Sequence, residues 1–209
     1  MRIGILQASS QREKNSVLET CVKEVVPVGW EVVNFGVYPD SPVVLSYVQA
    51  ALCISMLLES KAVDFVVTGC SSGQGMMLAC NSLPGVLCGY VEHPTDAYLF
   101  GRINNGNAAS YPLGMGWGWA GELNFKETVR ALFQEPLGKG YPARDAERKL
   151  RDTRLLHQTN SLCKRSLAEV LEDLPQDLVI PASAYDPVFE YVQLHGTDEG
   201  VVSLLEKRR

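Results

Sequence analysis

Histidine is scarce in this chain, with three in 209 residues. No Cys-x-x-Cys pair occurs, and no grouping of His, Cys, Asp and Glu shows the spacing of metal ligands. The sequence therefore offers neither a zinc site nor a dithiol redox motif. A basic excess is also missing: Lys and Arg number 19 against 24 Asp and Glu, a formal net charge of −5. That balance argues against a general nucleic-acid binder, which needs a basic face. No apolar run is long enough to cross a bilayer, since Val43–Leu58 is interrupted by Ser46, Gln49 and Ser55. The opening Met1-Arg2-Ile3-Gly4-Ile5-Leu6-Gln7 has no basic segment followed by an apolar core and a cleavage site. The expectation is a cytoplasmic protein with no membrane and no nucleic-acid partner. Its six cysteines, Cys21, Cys53, Cys70, Cys80, Cys88 and Cys163, are expected to be reduced.

What is present is ordinary globular material, 46% hydrophobic and 21% charged, enough apolar surface to offset chain entropy. Strand-like runs at Arg2–Leu6, Trp30–Phe35, Asp64–Thr68, Val86–Val91 and Asn107–Leu113 alternate with helical patterns. The helical patterns lie at residues 17–25, 43–58, around 96–102 and at 122–133. Strands alternating with helices predict an α/β fold. It should be a three-layer α/β/α, Rossmann-like sandwich with a mostly parallel, five-stranded sheet. Composition shifts near Gly138-Lys139-Gly140-Tyr141-Pro142. Residues 1–142 are read as the functional domain. Residues 143–209 are read as a helical extension packed on the core or on a neighbouring subunit, with a short apolar run at Leu178–Pro181 and a last helix to Lys207.

The most informative segment is Gly69-Cys70-Ser71-Ser72-Gly73-Gln74-Gly75-Met76-Met77. It leaves a strand and enters a helix, and its small residues allow a sharp turn and close approach to a ligand. The helix N-terminus beyond it favours an anion, a thiolate or a developing oxyanion. Three chemical readings compete with a plain tight turn around a buried cysteine. Dinucleotide binding lacks the third glycine. A serine hydrolase using Ser71 is formally allowed by Gly69-x-Ser71-x-Gly73, with His93, His157 and His195 downstream. The third reading is an isomerase with Cys70 as base.

Cys70-Ser71-Ser72-Gly73-Gln74-Gly75, continued through Asn81 and Pro84-Gly85, resembles the glycine-rich signature of the ribose 5-phosphate isomerase B and galactose 6-phosphate isomerase family. Pro94-Thr95-Asp96-Ala97, Asn104-Asn105-Gly106-Asn107 and Leu113-Gly114 resemble its second motif, and Trp30–Gly36 its second strand. The resemblance covers about the first 135 residues. It implies a cofactor-independent aldose–ketose isomerase acting on a sugar phosphate through an enediolate. Cys70 would be the base and Ser72 a catalytic hydroxyl. Ser71, Gly73, Gln74, Gly75 and Asn104 would bind substrate, as would Ser9 and His93 by their location. A homodimer or homotetramer with sites at the subunit interface is implied as well.

The departures are equally specific. The family's Asp-His pair after the first strand is replaced within Leu6–Ser10, and its histidine before the asparagine motif by Ile103. Arg12, Arg144 and Arg148 are substitutes, by location, for its phosphate contacts. Loss of ring-opening groups suggests an already open sugar, so a tetrulose phosphate should be preferred over ribose 5-phosphate. A derivative without the usual phosphate fits equally. The alternative from another class is a non-catalytic sugar-phosphate-binding protein. Trp117 and Trp119 read as packing anchors.

Overall fold

The structure is a computed structural model and describes residues 1–208. Five strands, β1 (Arg2–Gln7), β2 (Glu31–Asn34), β3 (Phe65–Cys70), β4 (Cys88–Tyr90) and β5 (Ala108–Pro112), form one sheet in the order β2-β1-β3-β5-β4. Every pairing is parallel. The expected α/β sandwich is thus present. The central strands read as continuous apolar runs because both of their faces are covered.

Alternation along each strand sorts side chains between two cores. Ile3, Ile5, Phe65, Val67 and Ala109 face α1 (Asn15–Val25) and α5 (Gly121–Phe133). Leu6, Val66 and Ala108 share the opposite core with α2 (Tyr47–Glu59) and α3 (Gln74–Asn81). The pattern at residues 43–58 predicts a helix starting at Val43, but α2 starts four residues later. Ser46 supplies the reason: its Oγ accepts from Gln49 N–H at 3.3 Å, while Gln49 Oε1 accepts from Ser46 N–H at 2.9 Å. This reciprocal cap fixes the start and leaves Val43 and Val44 in the preceding loop, both exposed.

α4 (Pro94–Leu99) gives way to a π-helical turn over Phe100–Asn104, closed by Asn105 in the left-handed region at φ 49°. Beyond Pro142 come α6 (Ala146–Cys163), α7 (Leu167–Asp173), α8 (Gln176–Ser183), α9 (Asp186–His195) and α10 (Glu199–Glu206). The Leu178–Pro181 run lies inside α8, and the tail forms three helices instead of one. Pro187 starts α9, Gly196 follows its end, and Asp198 accepts from Val201 N–H to start α10. Of the two tryptophans read as packing anchors, Trp117 packs edge-on to Tyr111 and against Phe125, whereas Trp119 is fully exposed. No helix among the described residues is long and apolar enough to cross a membrane.

Candidate functional site

The chain runs from β1 outward to β2, then crosses to β3 and on to the far edge at β4 before β5 returns between β3 and β4, so strand order reverses between β1 and β3. The crevice at the carboxyl ends of such strands is where open α/β sheets bind ligands. Here it is a pocket of about 610 Å³. The loop after β1 contributes Ala8, Ser9, Ser10 and Arg12, the approach to α2 contributes Leu45 and Tyr47, and the β3–α3 turn contributes Cys70, Ser71, Ser72 and Gly75. A hollow of about 570 Å³ at the opposite end of the strands is lined by Trp30, Phe65, Phe133, Asp64 and Glu135, with no Cys, His, Lys or Arg.

The β3–α3 turn is held from behind. Cys70 O accepts from Leu113 N–H at 2.9 Å and from Gly73 N–H at 3.3 Å. Gly73 sits at φ 71°, where L side chains are strained. A Cβ there would also lie 2.9 Å from Pro112 N and from the Tyr90 ring. Ser110 Oγ donates to Gly73 O at 2.6 Å. The turn therefore projects Cys70, Ser71 and Ser72 from a fixed frame into the pocket. The first N–H groups of α3 have no helical carbonyl behind them.

The cysteines separate by environment. Cys53 donates to Ala182 O, and burial pushes its thiol up to about 12. Burial also raises the Cys21 thiol. Cys88 is raised by its hydrogen bond with Cys80 and by burial. Cys70 is 8% exposed and lines the pocket, and no hydrogen bond engages its Sγ among the described residues. Cys163 is exposed on α6.

Of the residues singled out from sequence, Ser9, Arg12, Cys70, Ser71, Ser72 and Gly75 meet in this pocket, with Gly73 beneath the turn. Gln74 is exposed beside it. Ser9 Oγ accepts from Leu45 N–H at 2.8 Å and so pins the wall of the pocket. Arg12 gives Nε to Ser9 O at 3.2 Å and Nη1 to Ser41 O at 2.9 Å.

The remaining residues do not join the pocket. Asn104 lines a separate cleft with Asn81, Tyr90 and Leu156. His93 is exposed, and its N–H donates to Asp96 Oδ2 at the start of α4. Arg144 and Arg148 are exposed and face Asp145 and Asp152.

Gln11, Lys14, Leu45 and Tyr47 were not legible as site residues. For the first two the available signal was their i, i+3 spacing in the polar stretch after β1. Ser71 Oγ accepts from Gln11 Nε2 at 2.8 Å. A hydrolase nucleophile would instead give its proton to a base, and no histidine lines this pocket.

Residues 6–148 match the family described as Ribose/Galactose Isomerase. No curated protein matches the chain. Among solved structures, the chain is 38% identical to a 4-deoxy-L-threo-5-hexosulose-uronate ketol-isomerase complexed with a tartrate. That match covers 99% of this chain and 98% of the other, at a TM-score of 0.94. A ribose-5-phosphate isomerase from Vibrio parahaemolyticus is 35% identical, with the same coverage and TM-score. A type B ribose 5-phosphate isomerase from Trypanosoma cruzi, 22% identical at TM-score 0.65, shares the fold. It covers 78% of this chain but 99% of its own.

Proposed function

Because the chain belongs to the ribose/galactose isomerase family, we propose that it is a ketol-isomerase of an open-chain acidic sugar, with Cys70 as the base. One observation carries the reading. Arg12, Tyr47 and Cys70 are the titratable side chains that line the pocket. Arginine keeps its proton, and tyrosine holds a phenolic one. Cys70 is the lining side chain suited to take a proton from carbon.

In this mechanism the Cys70 thiolate removes the proton from the carbon next to the substrate carbonyl. The electron pair moves into an enediolate, the hydroxyl proton passes between the two substrate oxygens, and the thiol returns the carbon proton to the neighbouring carbon. Ser71, Ser72 and the first N–H groups of α3 receive the negative oxygen. The electron pair stays within the substrate, so the step needs no redox cofactor.

What surrounds the base supports this substrate class. Among the described residues no histidine or carboxylate lines the pocket to open a sugar ring, and Arg12 is its lone lining cation. One guanidinium already holding two carbonyls matches a carboxylate better than a phosphate dianion. The name of the uronate ketol-isomerase at 38% identity supports an acid over a phosphate. A sugar phosphate is the second reading, favoured by the Vibrio parahaemolyticus neighbour's name at 35%.

Incubation in deuterated water distinguishes the two, scored as label entering the carbon beside the carbonyl. Label is expected in open-chain keto-uronates, with tetrulose phosphate behind them and ribose 5-phosphate slowest. Fastest exchange into ribose 5-phosphate would overturn the substrate class. No exchange into any of them would leave a non-catalytic binder.

The reading includes a homodimer or homotetramer. α6 has no buried residue over its 18 positions. Leu155 and Leu162 on it are exposed, and Leu156 borders the cleft that holds Asn104. A second copy covering α6 would shield these leucines and give Asn104, Arg144 and Arg148 a role at the partner's pocket. Analytical ultracentrifugation is expected to give a dimer or tetramer, and Leu155→Asp with Leu162→Asp to give monomers. A monomeric wild-type chain would refute the assembly.

A further inference from the structure

Ser71 is exposed at the pocket, and its hydroxyl already has a partner on the protein side. Gln11 is 8% exposed and donates from Nε2 to Ser71 Oγ at 2.8 Å. Lys14 Nζ donates to Gln11 Oε1 at 2.7 Å. The charge at the far end of this chain fixes the orientation of the Gln11 amide. An ammonium has donors and no acceptor, so the amide atom facing it is the carbonyl oxygen. The other amide atom is then the nitrogen, which gives a hydrogen to Ser71. With that lone pair occupied, the hydroxyl's own hydrogen is free for a ligand.

Lys14 is held for this task. Its Nζ lies 5.3 Å from the centre of the Trp117 ring, and no carboxylate pairs with it among the described residues. Burial lowers its pKa. Take away the ammonium, and the Gln11 amide can turn over. Its oxygen would then accept the Ser71 hydrogen and remove that donor from the pocket.

We propose that Lys14 and Gln11 are positioning residues that commit Ser71 to donating a hydrogen bond to the substrate oxygen that becomes negative. This rests on the ketol-isomerase reading above. No proton is transferred along the chain: Cys70 carries the proton, and Ser71 supplies only the hydrogen bond.

Two measurements on the whole protein test the assignment. In the ¹⁵N-labelled protein, nuclear Overhauser contacts are expected between the Gln11 amide protons and the Ser71 β protons. They should persist in Lys14→Arg and weaken or vanish in Lys14→Met, which keeps an unbranched side chain of similar length without the charge. Calorimetry then uses tartrate, an open-chain hydroxy acid, as the probe. Gln11→Glu presents an acceptor in place of the donor. It is expected to weaken tartrate by about tenfold, the scale of one hydrogen bond, as are Lys14→Met and Ser71→Ala. Lys14→Arg should stay within about threefold of wild type, and adding Ser71→Ala to Gln11→Glu should cost nothing more. Unchanged amide contacts in Lys14→Met, or wild-type tartrate affinity in Gln11→Glu, would overturn the proposal. A wild-type protein that ignores tartrate counts against the open-chain acid reading instead, and the amide contacts still decide the orientation of Gln11.

Discussion

Replacing Cys70 by serine is expected to lower deuterium exchange into the substrate by roughly 10²–10⁴-fold, the usual contribution of a positioned general base. Binding and folding should survive. The substitution exchanges sulfur for oxygen at a side chain that is 8% exposed and, among the described residues, makes no hydrogen bond through Sγ. The backbone around it does not depend on the sulfur, because Leu113 N–H and Gly73 N–H hold the Cys70 carbonyl. Only the acid–base chemistry changes: an alcohol is a far weaker acid than a thiol, so its conjugate base is not populated near neutrality. Three readouts belong together, namely exchange rate, tartrate affinity and melting temperature. Lost exchange with the other two retained identifies the base. Exchange at the wild-type rate would refute it and leave the pocket with no lining group to move the proton. Lost folding would place Cys70 with Cys53 and Cys88 as a packing residue.

The parts of this molecule that were legible share one property: their physics is local. The strand runs at Arg2–Leu6 and Asp64–Thr68 are apolar because each strand is covered on both faces, and the structure extends them only to Gln7 and Cys70. The turn at Gly69–Gly75 was legible because a left-handed position, a close approach and a helix start each demand a small residue there. Gln11 and Lys14 were not legible because their role exists only once β1 and β3 pair and bring Ser71 alongside, 60 positions from Gln11. Asn104 shows a different limit. Its motif gives order along the chain, whereas its placement in a separate cleft is a matter of how the π-helical turn after α4 is directed. The apolar pattern runs past the start of α2 because Val43 and Val44 stand in phase with its apolar face, and a side-chain cap overrules phase.

A chain ending at Leu174 is expected to fail to fold, although the family match ends at residue 148. The reason lies in α2. Every residue from Ala50 to Leu57 is buried, so this helix is apolar all round and needs cover on the face away from the sheet. α8 and α9 supply it. Val179, Ala182, Tyr185, Val188, Val192 and Leu205 belong to the same continuous core as Leu6, Leu52 and Val66. Polar ties reinforce the contact: Tyr185 Oη donates to Phe35 O at 2.8 Å, and Gln49 Nε2 donates to Asp177 O at 3.0 Å. Burial of a Val, Leu or aromatic side chain contributes about 1.5–3 kcal/mol. The three valines, Leu205 and Tyr185 together therefore supply on the order of 10 kcal/mol, as much as the whole net stability of a typical domain. The truncated chain would also present α2's outer face to water and invite association. Soluble expression and the cooperativity of thermal unfolding by circular dichroism check this. A soluble 174-residue chain (residues 1–174 of the sequence) that melts cooperatively at the wild-type temperature would make the tail dispensable. The shared coverage of 99% with both the uronate ketol-isomerase and the Vibrio parahaemolyticus isomerase would then need a reason other than folding. On that outcome the extension is part of the scaffold behind α2, and the pocket that Leu45, Tyr47 and Cys70 line is a product of the whole chain.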